Sequence, residues 1–411
     1  MQQQQRRVSM KSNKLIAGLA SVLMVTTVAF VGTSGARAAT KDGIPAGPIT
    51  IGLPIGLTSF INFYDSQVLL GAQTEAAILN AKGGILGHKI KLVTADTASN
   101  IAQGGPAAQQ VIAKGAQFIL PTVDYNFGGV AAGVAQAHNL ITISAADDPR
   151  MGLSIGKNVF NFDTTGGNAG SILAQYAFQT LKKTKAYLVL DTTLAAMSAN
   201  CNGFSDAFKH FGGTIAGTTS YDGTEAAQTS AVSAVQAASS TYDVIMLCGY
   251  PSSGATVLKG IRADGVTASV MLTDAFDGNF WEAGVPDLSN SYAISYGVAT
   301  AGQGRGSASE ALDITRKNGK PASVSLGYLE AFSALQAIAE AVTATKSVNA
   351  DKIRKYFETF KNHSFAIGST TWTTTCHARV GNPMVIADFS NGVEKYVTTI
   401  KPAYIPAGSC G

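Results

Sequence analysis

Residues 49–95 carry the pattern from which the rest of the fold can be predicted. They begin with the apolar run ITIGLPI at 49–55, which predicts a buried strand. In residues 66–82 apolar side chains recur at helical spacing, and the Gly83-Gly84 pair supplies a left-handed helix end. A second β-rich run follows at 89–95. The stretch therefore predicts a strand, a crossover helix and a parallel strand.

The same alternation continues along the chain. Further helices are predicted at 107–116, 128–138, 307–318, 324–345 and 350–361, and further strands at 117–121, 140–144, 185–191, 213–220, 242–248 and 269–273. The strands form two series separated by a segment rich in Asn, Thr and Gly at 158–170. We expect an α/β protein with two doubly wound parallel-sheet lobes.

The connections between the two series predict a multi-strand hinge, with 158–170 and 291–300 as two of its segments. We expect lobe 1 to comprise 40–163 plus about 300–365, and lobe 2 to comprise 164–299. The remaining segment, 366–411, is expected to cross the hinge. Two domains also agree with a length of 411 residues, because one hydrophobic core seldom organises so long a chain.

The first 39 residues have the layout of a signal peptide. A basic start precedes an apolar run at 15–32, and Ala36 and Ala38 fit the small-residue cleavage site. The alternative is an uncleaved anchor, since about 18 apolar residues approach the length that spans a bilayer. No cysteine lies near the cleavage site to carry a lipid, so we expect the mature protein to be free of a lipid anchor.

Composition and motifs argue against several function classes. A hydrophobic content of 46% predicts a folded chain, and the scattered basic residues, with a net charge of +4, predict no nucleic-acid partner. No Gly-rich phosphate loop or G-x-S-x-G elbow is present, and the five histidines lack metal-ligand spacing. We expect no metal, no cofactor and no enzymatic activity, with a secreted hydrolase as the alternative.

Four cysteines lie beyond the signal segment, and an exported protein is expected to pair them. Three pairings are possible. Neighbouring positions in one sheet pattern favour Cys201 with Cys248, and a shared tail favours Cys376 with Cys410.

Polar residues follow the predicted strands at 124–127, 144–148, 191–193, 249–251 and 274–277. Ligands of open parallel sheets bind beyond the carboxyl ends of the strands. These loops therefore predict a site for a small solute.

The stretch NAKGGILGHKIKLV at 80–93, with Asp96 after it, resembles a signature of the leucine/isoleucine/valine-binding family of periplasmic solute-binding proteins. The resemblance implies the type I periplasmic binding protein fold and a periplasmic monomer. It also implies capture of a small solute, with a branched-chain amino acid as the first expectation. The protein would deliver this solute to the permease subunits of an ABC importer in the inner membrane.

The resemblance also implies which residues face the solute. They are Tyr125, Asn126, Ser144, Ala146 and Asp147 from lobe 1, and Thr192, Tyr250 and Asp274 from lobe 2. Family members hold the ligand carboxylate in lobe 1 and its ammonium in lobe 2. Asp274 is the expected partner of the ammonium group through a charge-assisted hydrogen bond, and its alternative role is a helix N-cap.

Departures from the family pattern leave the identity of the ligand open. Asp124-Tyr125-Asn126 stands where small hydroxyl residues are expected, and Asp147 would repel a ligand carboxylate. The alternatives are an aromatic acid, an amide or another small carboxylate, with an aromatic wall formed by Phe60, Phe127, Phe276 or Trp281, each of which could instead belong to the core. The alternative function is that of a periplasmic sensor or chemotaxis protein, which would also bind its ligand between two closing lobes.

Overall fold

The computed structural model describes residues 43–300, 302–303, 307–317, 325 and 327–410. The predicted signal peptide at 1–39 lies outside these residues. In the described part of the chain, no helix combines the length and the apolar character needed to cross a membrane.

The first half of the molecule is built on a five-stranded parallel sheet. Its strands are β1 (Ile49–Ile55), β2 (Ile90–Asp96), β3 (Phe118–Ile119), β4 (Ile141–Ser144) and β5 (Val159–Asn161). The helices that follow them are α1 (Asn62–Ala81), α2 (Ile101–Ala113), α3 (Tyr125–Ala137) and α4 (Arg150–Leu153). The spatial order of the strands is β2-β1-β3-β4-β5.

The second half is built on a seven-stranded sheet. Its parallel strands are β6 (Lys185–Asp191), β7 (Thr214–Tyr221), β8 (Val244–Cys248), β9 (Ser269–Leu272) and β10 (Ser291–Ser295). Its helices are α5 (Gly166–Gln175), α6 (Ala195–His210), α7 (Glu225–Ala237) and α8 (Pro251–Ala263). The parallel strands lie in the order β10-β9-β8-β6-β7, which repeats the winding of the first half.

The C-terminal part of the chain contributes to both halves. It contains α9 (Ser307–Lys317), α10 (Gly327–Thr345), α11 (Ala350–Phe357), the hairpin β11 (His363–Phe365) and β12 (Gly368–Thr370), and the strands β13 (Met384–Asp388) and β14 (Lys395–Ile400). Side chains from α9, α10 and α11 pack in one core with β1, β3 and β4. Strands β13 and β14 extend the second sheet beyond β10 in antiparallel orientation.

The two doubly wound parallel sheets confirm the predicted fold class. The chain passes between the halves after β5, after β10 and after β12. An isolated bridge pairs Thr164, which follows β5, with Arg379, which follows β12. That these passages act as a hinge between lobes with the predicted boundaries stays a prediction.

Three helices begin earlier than the sequence pattern predicts. Helix α1 begins at Asn62, whose amide donates to the carbonyls of Gly56 and Leu57 and so orders the first turn. Helix α2 begins at Ile101, and the predicted start at 107 was wrong, because the Asn100 side chain caps an earlier turn by accepting from the Ala102 backbone N–H. Helix α3 begins at Tyr125 for the same reason, with Asp124 as its cap.

Both favoured cysteine pairs are disulfides. Cys201 on α6 bonds Cys248 at the end of β8, and Cys376 bonds Cys410 in the C-terminal segment. The first bond joins a helix to the sheet on which it packs, and both of its cysteines are buried.

Candidate ligand-binding site

A cavity of about 100 Å³ lies between the two halves. Its lining consists of Phe60, Ile61, Tyr64, Val123, Asp124, Ala145, Asp147, Asp163, Leu194, Met197, Tyr250, Asp274, Ala275, Asp277, Ser295, Tyr296, Gly327 and Glu330. Most of these residues follow the carboxyl end of a strand: β1, β3, β4 and β5 in the first half, and β6, β8, β9 and β10 in the second. Both sheets therefore present to the cavity the edge at which doubly wound folds bind ligands.

Asp274 lines the cavity with a buried carboxylate. It begins a single turn of 3-10 helix directly after β9, and the N-cap of that turn is Thr273. Among the described residues, neither carboxylate oxygen has a partner with hydrogen-bonding geometry. Burial raises the pKa of Asp274 to about 6, and its own backbone N–H, that of Ala275 and the nearby Asn200 amide act in the opposite direction. A buried carboxylate without a partner is costly, so this group is suited to an ammonium from outside the chain.

Asp147 faces Asp274 from the first half. Its carboxylate accepts a hydrogen bond of 3.0 Å from the side-chain amide of Asn200 on α6, which crosses between the halves. Burial, followed by the charges of Asp274 and Asp163, raises the pKa of Asp147 well above its ordinary range. Two carboxylates so placed repel each other unless one of them is protonated or a cation lies between them.

Three further acidic groups surround the same space from the first half. Asp163 accepts from the Tyr296 hydroxyl and from the Thr164 backbone N–H, and Glu330 lies in the first turn of α10. Burial raises the pKa of both groups well above the ordinary range. Asp124 caps α3 by accepting from the Asn126 backbone N–H at 2.7 Å, and burial raises its pKa to about 6. The lining is therefore strongly acidic.

No group of three or more His, Cys, Asp or Glu side chains within the described ranges is arranged to hold a metal ion.

Aromatic side chains complete the lining and connect the halves. Tyr64 on α1 donates its hydroxyl to the Ala275 carbonyl of the second half at 2.7 Å. Beside it, Phe63 stacks on Phe280 with ring centroids 5.7 Å apart. Tyr250 lies at the start of α8, with its hydroxyl 3.2 Å from that of Thr193. The contacts of Tyr64 and Phe63 hold the halves against each other, whereas the Tyr250 contact lies within the second half.

Of the eight residues predicted to face a solute, the structure brings Asp147, Tyr250 and Asp274 together around the cavity. Ser144 is buried and lines a small neighbouring void, and its hydroxyl has no hydrogen-bond partner in the described part of the chain. Thr192 lies outside the lining and donates its hydroxyl to the Tyr221 carbonyl at 3.1 Å.

The other three predicted residues are engaged elsewhere. Tyr125 lies under the guanidinium of Arg150, 4.0 Å from the ring centroid. The backbone N–H of Asn126 donates to the Asp124 carboxylate. The N–H and C=O of Ala146 both bond the side chain of Asn161.

The four candidates for an aromatic wall also differ in whether they line the cavity. Phe60 lines the cavity, and Phe127 packs edge-on behind it at 5.6 Å between centroids. Phe276 and Trp281 are buried against each other in the core of the second half.

Sequence reasoning missed Tyr64, Asp163, Tyr296 and Glu330. Asp163 and Tyr296 directly follow β5 and β10, so the rule about strand ends would have found them if it had been applied to the segments interpreted as hinge. Tyr64 and Glu330 lie in the first turns of α1 and α10, and no sequence signal brings those helix ends to the cavity.

The fold and the cavity between its two halves define a class of two-half ligand receptors. The chain belongs to the Periplasmic binding protein family, whose pattern matches residues 48–393.

Two relatives carry similar names. The Leu/Ile/Val-binding protein BraC3 of Rhizobium johnstonii is 27% identical over 337 residues, which cover 80% of this chain and 88% of that protein. Leu/Ile/Val-binding protein homolog 3 of Brucella melitensis is 30% identical over 188 residues, which cover 45% of this chain and 48% of that protein. The latter match thus spans about half the length of the relative.

Solved structures share the fold. A leucine-binding protein LivK from Thermotoga maritima has a TM-score of 0.74 at 18% identity, covering 86% of this chain and 99% of that one. A solute-binding protein from R. palustris in complex with benzoate has a TM-score of 0.73 at 14% identity, covering 88% and 98%. At such identities the likeness concerns the fold alone.

Proposed function

We propose that this protein is the periplasmic substrate-binding component of an ABC importer and that it captures a small solute carrying an ammonium group. The observation that carries the proposal is the Asp274 carboxylate, which is buried, lines the cavity between the halves and has no hydrogen-bond partner within the described ranges. The names of the relatives support a branched-chain amino acid as the reference class of solute. Export through a cleaved signal peptide and a monomeric state belong to the same proposal.

The position of the cavity supports a capture mechanism. A solute between the halves touches both of them in the closed arrangement and one of them in an open arrangement, so it favours closure by its differential contacts. Tyr64 and Asn200 already bond across the cavity and would strengthen the closed state. Uptake of an aromatic acid is the weaker alternative, because its carboxylate would lie among acidic side chains.

A thermal-shift screen tests the proposal. The chain is unfolded in guanidinium with its disulfides intact, refolded to remove any carried solute, and tested with amino acids, amines, amides and carboxylic acids. A solute present at a hundred times its Kd stabilises the folded state by about 2.7 kcal/mol. We expect solutes with an ammonium group to raise the Tm. Shifts produced only by acids that lack an amine would contradict the proposal.

Affinity for an ammonium solute is expected to rise with pH between about 5 and 7. Asp274, with a pKa of about 6, is neutral below this range and loses its attraction for the cation, and it is ionised above the range. Affinity should therefore change by up to about tenfold per pH unit below the pKa. The groups that face Asp274 are Asp147, Asp163, Glu330, Asp277, Tyr64 and Tyr250.

Isothermal titration calorimetry at pH 5, 6 and 7 measures this dependence. The Asp274→Asn variant is the control and should show a weaker dependence on pH. Affinity that stays constant or falls as the pH rises would exclude Asp274 as the ionising partner.

A further inference from the structure

The lining of the cavity is unbalanced in charge. Six carboxyl groups line it, from Asp124, Asp147, Asp163, Asp274, Asp277 and Glu330. In the part of the chain that the structure describes, no arginine or lysine lines the cavity. An amino acid would bring one positive and one negative group into this space.

The basic side chains near the cavity have other partners. Arg379 is buried behind Tyr296, and its guanidinium donates to the backbone carbonyls of Phe162, Ile367 and Ser369. Arg150 forms an ion pair with Asp148. Neither guanidinium is placed to receive a ligand carboxylate.

The hydroxyl groups of the lining present mainly acceptor oxygens. Tyr64 donates its proton to the Ala275 carbonyl, and Tyr296 donates its proton to Asp163. The hydroxyls of Tyr250 and Ser295 are left as neutral donors, against six acidic groups. A hydroxyl contributes less to binding a carboxylate than a charged donor does.

Of the five first-half residues that the family resemblance places at the ligand, Asp147 lines the cavity and the others do not. The Ala146 backbone N–H bonds Asn161, and Ser144 lines a small neighbouring void. The cavity thus combines partners for a cation with a poor site for an anion.

We propose that the ligand is a small organic amine without a carboxylate group. This inference rests on the proposed function and narrows its solute class. The carboxylate of Asp274, which lacks a partner among the residues that the structure describes, would hold the ammonium group, and the opposing Asp147 would share its charge. The rings of Phe60, Tyr64, Tyr250 and Tyr296 offer apolar contact and cation–π attraction to the same ligand.

Calorimetry with three compounds of one carbon skeleton tests the inference. Leucine has both charged groups, isopentylamine lacks the carboxylate, and isocaproate lacks the amine. Putrescine and phenethylamine are added as two further amines. We expect at least one of the three amines to bind at least about tenfold more tightly than leucine, because burying the leucine carboxylate without a partner carries a penalty of that order.

The outcomes distinguish failure of this inference from failure of the proposed function. Tighter binding of leucine than of all three amines would overturn the inference and leave the proposed function intact. Tightest binding of isocaproate would overturn both. Failure of all three amines to bind would overturn the inference.

The Asp147→Asn variant provides a readout of specificity. Asparagine keeps an acceptor for the Asn200 amide and removes one ionisable carboxyl group from the cavity. We expect the affinity for leucine relative to isopentylamine to rise by about tenfold. The matched control is Asp206→Asn, which removes an exposed carboxylate from α6 and should leave the ratio unchanged. An unchanged ratio in Asp147→Asn would overturn the charge argument.

Discussion

The Asp274→Asn variant is expected to lose about 2–5 kcal/mol of binding free energy for an ammonium solute, a decrease in affinity of roughly 30-fold to several thousandfold. The change preserves the size of the side chain and removes its charge. The effect is large because the carboxylate is buried in the cavity wall and has no hydrogen-bond partner among the described residues. Isothermal titration calorimetry at pH 7 measures the loss.

Tyr250→Phe is the graded comparison for this experiment. It removes one hydroxyl from the same cavity and should weaken binding by about 1 kcal/mol, the usual contribution of one neutral hydrogen bond. Equal affinity in Asp274→Asn and the parent protein would show that the solute does not use this carboxylate.

Removal of the Cys201–Cys248 disulfide is expected to lower the free energy of unfolding by about 4 kcal/mol. The bond closes a loop of 47 residues, and the gain in entropy of the unfolded chain on opening a loop of that length gives this magnitude. The C201A/C248A variant leaves no free thiol from this pair, and urea denaturation in nonreducing buffer measures the difference. The midpoint should fall, and the dependence of the unfolding free energy on urea concentration should steepen, because the unfolded chain without the cross-link is less compact.

The C376A/C410A variant is the matched comparison, because its loop of 34 residues gives nearly the same entropic contribution. Equal stability of C201A/C248A and the parent protein would contradict the assignment of this bond as a structural element of the second half.

The class of fold could be predicted because strands and helices leave different periodicities in the sequence. ITIGLPI at 49–55 and the pattern at 185–191 became buried parallel strands, as predicted. The spatial order of the strands could not be derived in this way, since pairing such as β1 with β3 depends on contacts between segments far apart in the chain. Helix starts failed where a polar side chain capped a turn, as at Asn100.

The sequence predicts part of the cavity lining from the positions of strand ends, and whether these residues bind a solute stays a prediction. Asp147, Tyr250 and Asp274 follow strand ends, and the winding of the sheets brings such positions together. Ser144 and Thr192 also lie at strand ends but do not line the cavity, and the Thr192 hydroxyl donates to the Tyr221 carbonyl. Glu330 reaches the cavity from a helix far along the chain, so no local signal could identify it.

The central claim is that an ammonium group binds Asp274 in the cavity between the halves. A crystal structure of the protein with its tightest-binding ammonium solute tests it most directly. We predict that the ligand nitrogen lies within about 3.2 Å of an Asp274 carboxylate oxygen, with Asp147 and Tyr250 around it. A ligand whose nitrogen lies away from Asp274, or which binds outside the cavity, would contradict the account.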